Sequence, residues 1–457
     1  MKYNNSFVSK SKMCIQQTES IERYLNIDDI GVPSDYKVEI FAMGIDTPIG
    51  IVFTETGDML IADSGILSGN PKVILLRDEQ YEIIADGFNV PITGINYRYG
   101  EIYVSHRGTI TIIKSDGTKQ DIIKGLPSYG DYCNNKVTFG IDEKMYFGQG
   151  TATNSGVVGL DNEWVFNYSF FHDFPGSYIM LNGYNYETKN MLIPAEDIAI
   201  TGAFSPFAGP NFQRFEIVKG AIQASGSVLK ANPDGSELEL VAWGFRNPFA
   251  VKFDNFNRLF VANQGYEVRG SRPIANAPDE LQLIIPGTWY GWPDYAGGEL
   301  VNLPQFTPPT GVQPQLLFAN NPSIPPKPYT TFPSCSHIMG FDFNNNPNFG
   351  PEGDIYIAEF GSTKNDILEV NILSGVGHRV NKVNSNTGEN TTFAMNKSGI
   401  PAFITSEGIQ QGGGFSRPSD VVFGPDGVLY VCDLAIFNIE YPYDLYPNTG
   451  VIWRISK

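Results

Sequence analysis

FAVKFDNFNRLFVAN, residues 249–263, is an apolar strand, a polar turn and a second apolar strand that closes on a small residue and an amide. Alternating apolar positions rich in Phe and Val mark both halves as half-buried strands. The pattern returns in IGIVFTETGDMLIAD (49–63), ITGINYRYGEIYVSH (92–106), NKVTFGIDEKMYFGQ (135–149), IMGFDFNNNPNFGPEGDIYIAE (338–359) and SDVVFGPDGVLYVCD (419–433), giving six copies. Self-similar hairpins at a long period mark a radial or solenoidal array, in which such a hairpin is half of a four-stranded blade.

Outer strands are legible beside the copies. VILLR (73–77) and YEIIA (81–85) follow the first, and TITIIK (109–114) with the segment ending at Ile123 follows the second. SVLKAN (227–232) and ELELVA (237–242) flank the turn Pro233-Asp234-Gly235-Ser236 after the third. The last copy is followed only by GVIWRI (450–455), so YKVEIF (36–41) is expected to supply its fourth strand and join the chain ends. Such closure removes the sheet edges that an open array exposes. The expected fold is all-β, a six-bladed β-propeller over 36–457 preceded by a loosely ordered arm over 1–35. The surplus at 151–225, 266–330 and 371–415, rich in Pro, Gly and Asn, is expected to form long loops over one face.

Composition agrees with frequent turns, with 48 Gly and 31 Pro in 457 residues. A formal charge of −18 without any Lys/Arg cluster excludes a nucleic-acid partner, while acidity is compatible with bound calcium. Cys14, Cys133, Cys335 and Cys432 form neither a CxxC pair nor a dense disulfide framework. The N-terminus lacks an apolar signal core and no 18-residue apolar run exists, so the chain as written reads as soluble and cytoplasmic, or extracytoplasmic if a leader is missing.

Aligning the copies places Asp63, His106, Gln149, Asn263, Glu359 and Asp433 at the ends of the second strands. In a propeller these would gather at the channel mouth. They either cap strand ends or form an oxygen-rich cation site of the kind that suits calcium. A second layer, just before the first strands, holds Tyr132, Cys133, Arg246, Asn247, His337 and Arg417. Two arginines from separate blades suit a ligand with carboxylates or phosphates.

Three segments, GFRNPFAVKF (244–253), NQGYEVRGSRPIANAPDEL (263–281) and YGWPDYAGG (290–298), together with FGQGTATNSGVVG (147–159), SRPSDVVFGPDGVLYV (416–431) and TGVIWRI (449–455), resemble the glucose/sorbosone dehydrogenases. These are soluble six-bladed propellers that use pyrroloquinoline quinone (PQQ) with calcium, and the likeness is greatest to the sorbosone-dehydrogenase-like branch. The resemblance implies that Arg246, Asn247, Gln264, Lys364 and Arg417 hold the quinone. It implies that the carbonyls of Gly265 and Tyr266 hold the catalytic calcium, and that Asp279 and Glu280 belong to a structural calcium site. It further implies oxidation of an aldose or related sugar at its anomeric carbon, by proton transfer to a histidine and hydride transfer to the quinone.

One departure stands out. Tyr132 occupies the place of the family's histidine in GDYCNNKVTFG (130–140), and a phenol with pKa near 10 is a poor base. Of the four histidines, His106 and His337 fall at channel-facing positions, and His337 joins Tyr132 and Arg246 as a candidate catalytic group. Two other readings compete. The chain is a lapsed propeller that only binds a sugar, or a calcium-dependent lactonase-like hydrolase built on Asp63, Asn263, Glu359 and Asp433. Trp289, Tyr290 and Trp292 either stack on a sugar or pack the fourth blade against its loop.

Overall fold

A computed structural model describes residues 21–193, 195, 197–362, 376–440 and 444–457. It is all-β, and six of its sheets have four or five antiparallel strands each. The first contains Pro48–Phe53, Met59–Asp63, Lys72–Arg77 and Gln80–Asp86, and the second Ile92–Arg98, Glu101–His106, Thr109–Ile113 and Lys119–Lys124. The third joins Asn134–Phe139 and Met145–Gln149 to Ser227–Ala231 and Glu239–Trp243 across an insertion. The fourth contains Asn247–Phe253, Leu259–Gln264, Asp279–Leu283 and Thr330–Phe332.

The fifth sheet starts with Ile338–Phe343 and Ile355–Glu359. Its next two strands, Arg379–Val383 and Asn390–Asn396, lie within a segment expected to be loop. Their polar residues hid the alternation, yet Val380, Val383, Phe393 and Ala394 are buried. A turn between them is held by Asn384, whose side chain accepts from the amides of Asn386 and Thr387.

The sixth sheet contains Pro418–Phe423, Leu429–Asp433, Gly450–Ser456 and Lys37–Ile45, with Lys37 opposite Ser456 and Ile45 opposite Gly450. The two chain ends are therefore stitched together as the sequence anticipates. First strands touch in cyclic order, each against the next sheet's and the sixth against the first. Their buried faces, such as Ile51, Met59 and Ile61 with Val422 and Tyr430, form the cores between neighbouring sheets.

Residues 21–35, the described part of the expected arm, are anchored at two points and largely exposed between them. Ile30–Gly31 pairs with Met395 and Asn396 at the edge of the fifth sheet, and Arg23 is buried in an ion pair with Asp433. Insertions 151–225 and 266–330 carry small strand pairs and share one apolar cluster, including Val157, Ile179, Phe204, Trp289, Trp292 and Phe318. Trp289, Tyr290 and Trp292 are buried, with Trp289 and Trp292 in that cluster. No helix among the described residues is long and apolar enough to cross a membrane.

Candidate active site

Each first strand carries a β-bulge at its head, at Pro48/Gly50, Ile92/Gly94, Asn134/Val137, Pro248/Ala250, Ile338/Phe341 and Pro418/Asp420. A bulge inserts an unpaired residue and re-aims its side chain. Ile49, Thr93, Asn135, Phe249 and Met339, the bulged residues of five sheets, all line one cavity of about 150 Å³. In the sixth, Ser419 instead bonds the carbonyls of Pro48 and Cys432. Next to the cavity-lining Asn135, the Lys136 ammonium meets Asp420 of the sixth sheet at 2.9 Å. Gly340 makes room for that carboxylate, since a Cβ there would lie 1.9 Å from Asp420 Oδ1.

Tyr132, Arg246 and His337 come together, and a residue that sequence reasoning passed over unites them. Glu267 Oε1 lies 2.8 Å from Arg246 Nη2, 3.2 Å from the Tyr132 hydroxyl that donates to it, and 3.7 Å from His337 Nε2. Its other oxygen is paired with Arg269 Nε, and Arg269 also meets Asp131 at 2.7 Å and Asp161 at 2.6 Å. Burial alone would push the Glu267 carboxyl up, but Arg246, Arg269 and His337 outweigh it and hold the group well below the usual carboxylate range. Burial pushes Asp161 up to about 6. Glu267 and Arg269 belong to NQGYEVRGSRP; two charges of opposite sign straight after a glycine turn were the available signal.

Tyr132 is no base. Burial pushes its phenol far up, its hydroxyl donates to Glu267 and accepts from Arg269 Nη2 at 3.1 Å, and its ring lies 4.6 Å from the Arg246 guanidinium. His337 differs. Its Nδ1 lies 3.0 Å from the carbonyl of Gly361, which can only accept, so Nδ1 carries a proton and, when the ring is neutral, the lone pair is at Nε2. Its φ of 49° lies in the left-handed region that non-glycine residues rarely occupy, a form of strain that gathers at functional sites.

Arg246 is 1% exposed; Nη1 donates to Gly265 O at 2.5 Å and Nη2 faces Glu267. An open anion pocket at Arg246 is therefore not what the fold presents. Arg417, equally buried, donates to the carbonyls of Gly361 and Ser362 at 3.1 and 2.8 Å. The two arginines thus flank His337, one through Glu267 and the other through Gly361. Asn247 Nδ2 donates to Gln264 Oε1 at 2.8 Å, and both amides line the cavity. Lys364 lies outside the described residues.

The expected calcium ligands are largely engaged. Arg246 occupies the Gly265 carbonyl, and Tyr266 is buried with its hydroxyl on Tyr295 O. Asp279 accepts from the amides of Gly265 and Ile338, and Glu280 from the amide of Gly297 and the side chains of Asn263 and Gln282. Burial pushes both carboxyls up. The strand-closing set resolves the same way, as caps rather than a cation ring. Asp63 accepts from Thr47 N, His106 from Asn89 N, Asn263 from the amides of Arg246 and Asn247, and Asp433 from those of Ser416 and Arg417. Gln149 donates to carbonyls, Glu359 is paired with Arg379 and Asn381, and none of the six lines the cavity. The residues of the lactonase-like reading, Asp63, Asn263, Glu359 and Asp433, thus serve as caps or in ion pairs and do not line this cavity.

No family model matches the chain. Quinoprotein glucose dehydrogenase B of Acinetobacter calcoaceticus is 25% identical to it over 197 residues, 43% of this chain and 32% of that protein. The chain resembles the PQQ sugar dehydrogenases. The match spans about a third of that curated relative. The holo PQQ domain of Coprinopsis cinerea pyranose dehydrogenase superposes with a TM-score of 0.57 at 13% identity, over 95% of this chain and 98% of that one. A calcium structure of the Trichoderma reesei carbohydrate-active enzyme of family AA12 gives 0.54 at 13% identity, over 96% and 99%. These likenesses to solved structures are likenesses of fold.

Proposed function

We propose that residues 36–457 form a six-bladed propeller that oxidises an aldose or related sugar at its anomeric carbon with PQQ, as the quinoprotein dehydrogenases do. His337 carries this reading. Its lone pair at Nε2 suits a general base, and the carboxylate 3.7 Å away would stabilise the imidazolium formed when a hydroxyl gives up its proton. Asn135, Asn247, Gln264 and Thr93 offer hydrogen-bonding groups to a polyol, while Phe249, Phe360, Ile49 and Ile92 offer apolar wall to its C–H faces.

The residues fit a neutral sugar better than they fit the quinone. PQQ carries three carboxylates, whereas here Arg246 and Arg269 already face Glu267, Asp131 and Asp161. Gly265 O, the calcium ligand that the resemblance implies, accepts from Arg246. As built, the site does not fit PQQ with calcium, and the cofactor assignment rests on the sequence likeness and the fold. The Arg246–Glu267 pair therefore also favours a second reading, a propeller that binds a sugar without oxidising it.

Reconstitution separates the two. Purified protein given PQQ and calcium should reduce an artificial dye when aldoses are added. Sugar binding by calorimetry with no dye reduction would leave the binding protein standing and the oxidoreductase refuted.

A further inference from the structure

We infer that the cavity selects an uncharged ring that donates hydroxyl protons, and rejects the same ring once a carbonyl replaces the hydroxyl. This rests on the reading above only in taking the cavity as the ligand site, and holds whether the ring is oxidised or merely bound. The charges on the wall are spent on one another, Arg269 meeting both Asp131 and Glu267, so a ligand ion would find no counter-charge there. The protons of the polar side chains are spent as well. Thr93 Oγ1 gives its one proton to Asn134 O at 2.6 Å, and Ser64 Oγ gives its own to Thr47 Oγ1 at 2.8 Å. Gln264 Nε2 donates to Ile338 O at 3.1 Å and Met339 Sδ at 3.2 Å. Asn135 Nδ2 faces three acceptors, Cys133 O, Asn247 Oδ1 and Pro248 O, at 3.2–3.4 Å.

What these side chains leave for a ligand is lone pairs. The three acceptors fix which end of the Asn135 amide carries the nitrogen, and among the described residues nothing donates to its Oδ1. Thr93 Oγ1 still has lone pairs after giving its proton. Asn247 Nδ2, with one proton on Gln264 Oε1, is the exception, a single further donor. Thr93 and Asn135 are bulged residues of the adjacent second and third sheets, so the two oxygens come from neighbouring strand heads. Ile49, Ile66, Pro91 and Ile92, from the first and second sheets and the loops beside them, bring only carbon, which suits the C–H face of a ring. A hydroxyl can donate to such a wall. A carbonyl oxygen sets lone pair against lone pair and gives up the hydrogen bonds it had in water.

The test is binding by calorimetry, with no cofactor added. Wild type is titrated with trans-1,2-cyclohexanediol, with cyclohexanone and with D-glucose. The diol should bind about tenfold or more tighter than the ketone. In T93V, which keeps the shape of the side chain and loses its oxygen, diol binding should weaken about fivefold while ketone binding stays as it was. Circular dichroism confirms that T93V folds, and the comparison of diol with ketone on wild type stands without it. Equal affinity for diol and ketone overturns the inference, and glucose binding beside it leaves the sugar reading intact. A preference for the diol with no binding of glucose keeps the inference and overturns the sugar reading. Failure of all three to bind overturns both.

Discussion

Arg246 and Arg272 are buried alike, each 1% exposed, and face carboxylates at 2.8 and 2.9 Å. Around Arg272 every group is used. Nε donates to Gln315 O, Nη1 to the carbonyls of Ser155 and Pro293, and Nη2 to Asp294, whose oxygens also take the amides of Leu317 and Phe318. It rivets the two insertions to each other. Around Arg246 only Nη1 has an aligned acceptor, and one oxygen of Glu267 is shared among a guanidinium, a phenol and an imidazole beside a cavity. Saturation, more than pairing, separates the two arginines.

The largest effect should fall on the rivet. Arg272→Met leaves Asp294 buried without its cation and should cost about 3–5 kcal/mol. Arg246→Met should cost about 1–2 kcal/mol, because Glu267 retains Arg269 and Tyr132. Urea unfolding of both variants measures the gap, and equal losses would show that saturation is no guide here.

Much of this architecture is legible in the chain. Six hairpins of one pattern announce the sheets, and the apolar alternation of YKVEIF against GVIWRI announces how the ends join. The bulges are not legible, because one extra residue at a strand head leaves apolar spacing nearly intact while changing which side chain faces the axis. Hence nothing in the apolar pattern marks Ile49, Phe249 and Met339 as cavity-lining, and the sequence leaves the strand-closing Asp63 and Asp433 open between caps and a cation site, where the fold makes them caps of the loops before the first strands. Glu267 was hidden for another reason. Its meaning depends on Arg246, Tyr132 and His337, which lie far from it in sequence.

Asp173 extends the comparison to a buried carboxyl whose partners are all neutral: the amide of Ala152, the hydroxyl of Thr153 and Ser225. Burial pushes it up to about 7, against about 3.9 in an unfolded chain. The folded state therefore holds a proton that the unfolded state releases first. That contribution is complete below about pH 4 and is lost as pH rises through about 7, a change on the order of 4 kcal/mol. Asp173→Asn, neutral throughout, should flatten this slope in unfolding measured from pH 4 to 8. A difference from wild type that does not vary with pH would mean the carboxylate is ionised in the fold.

The smallest expected effect concerns the hydroxyl of Tyr132. In reconstituted protein, His337→Ala should lower dye reduction about 100-fold or more, the usual range for losing a general base. Tyr132→Phe removes a hydroxyl that only donates to Glu267 and accepts from Arg269, while Arg246 still lies over the retained ring. Its loss should stay under about tenfold, or 1.4 kcal/mol of transition-state stabilisation. Comparable losses in the two variants would hand the base back to Tyr132 and require its hydroxyl to ionise in spite of its burial. A loss confined to His337→Ala would show that the proton acceptor moved from the third sheet to the fifth while remaining on one cavity, an exchange that a ring of equivalent strand heads permits.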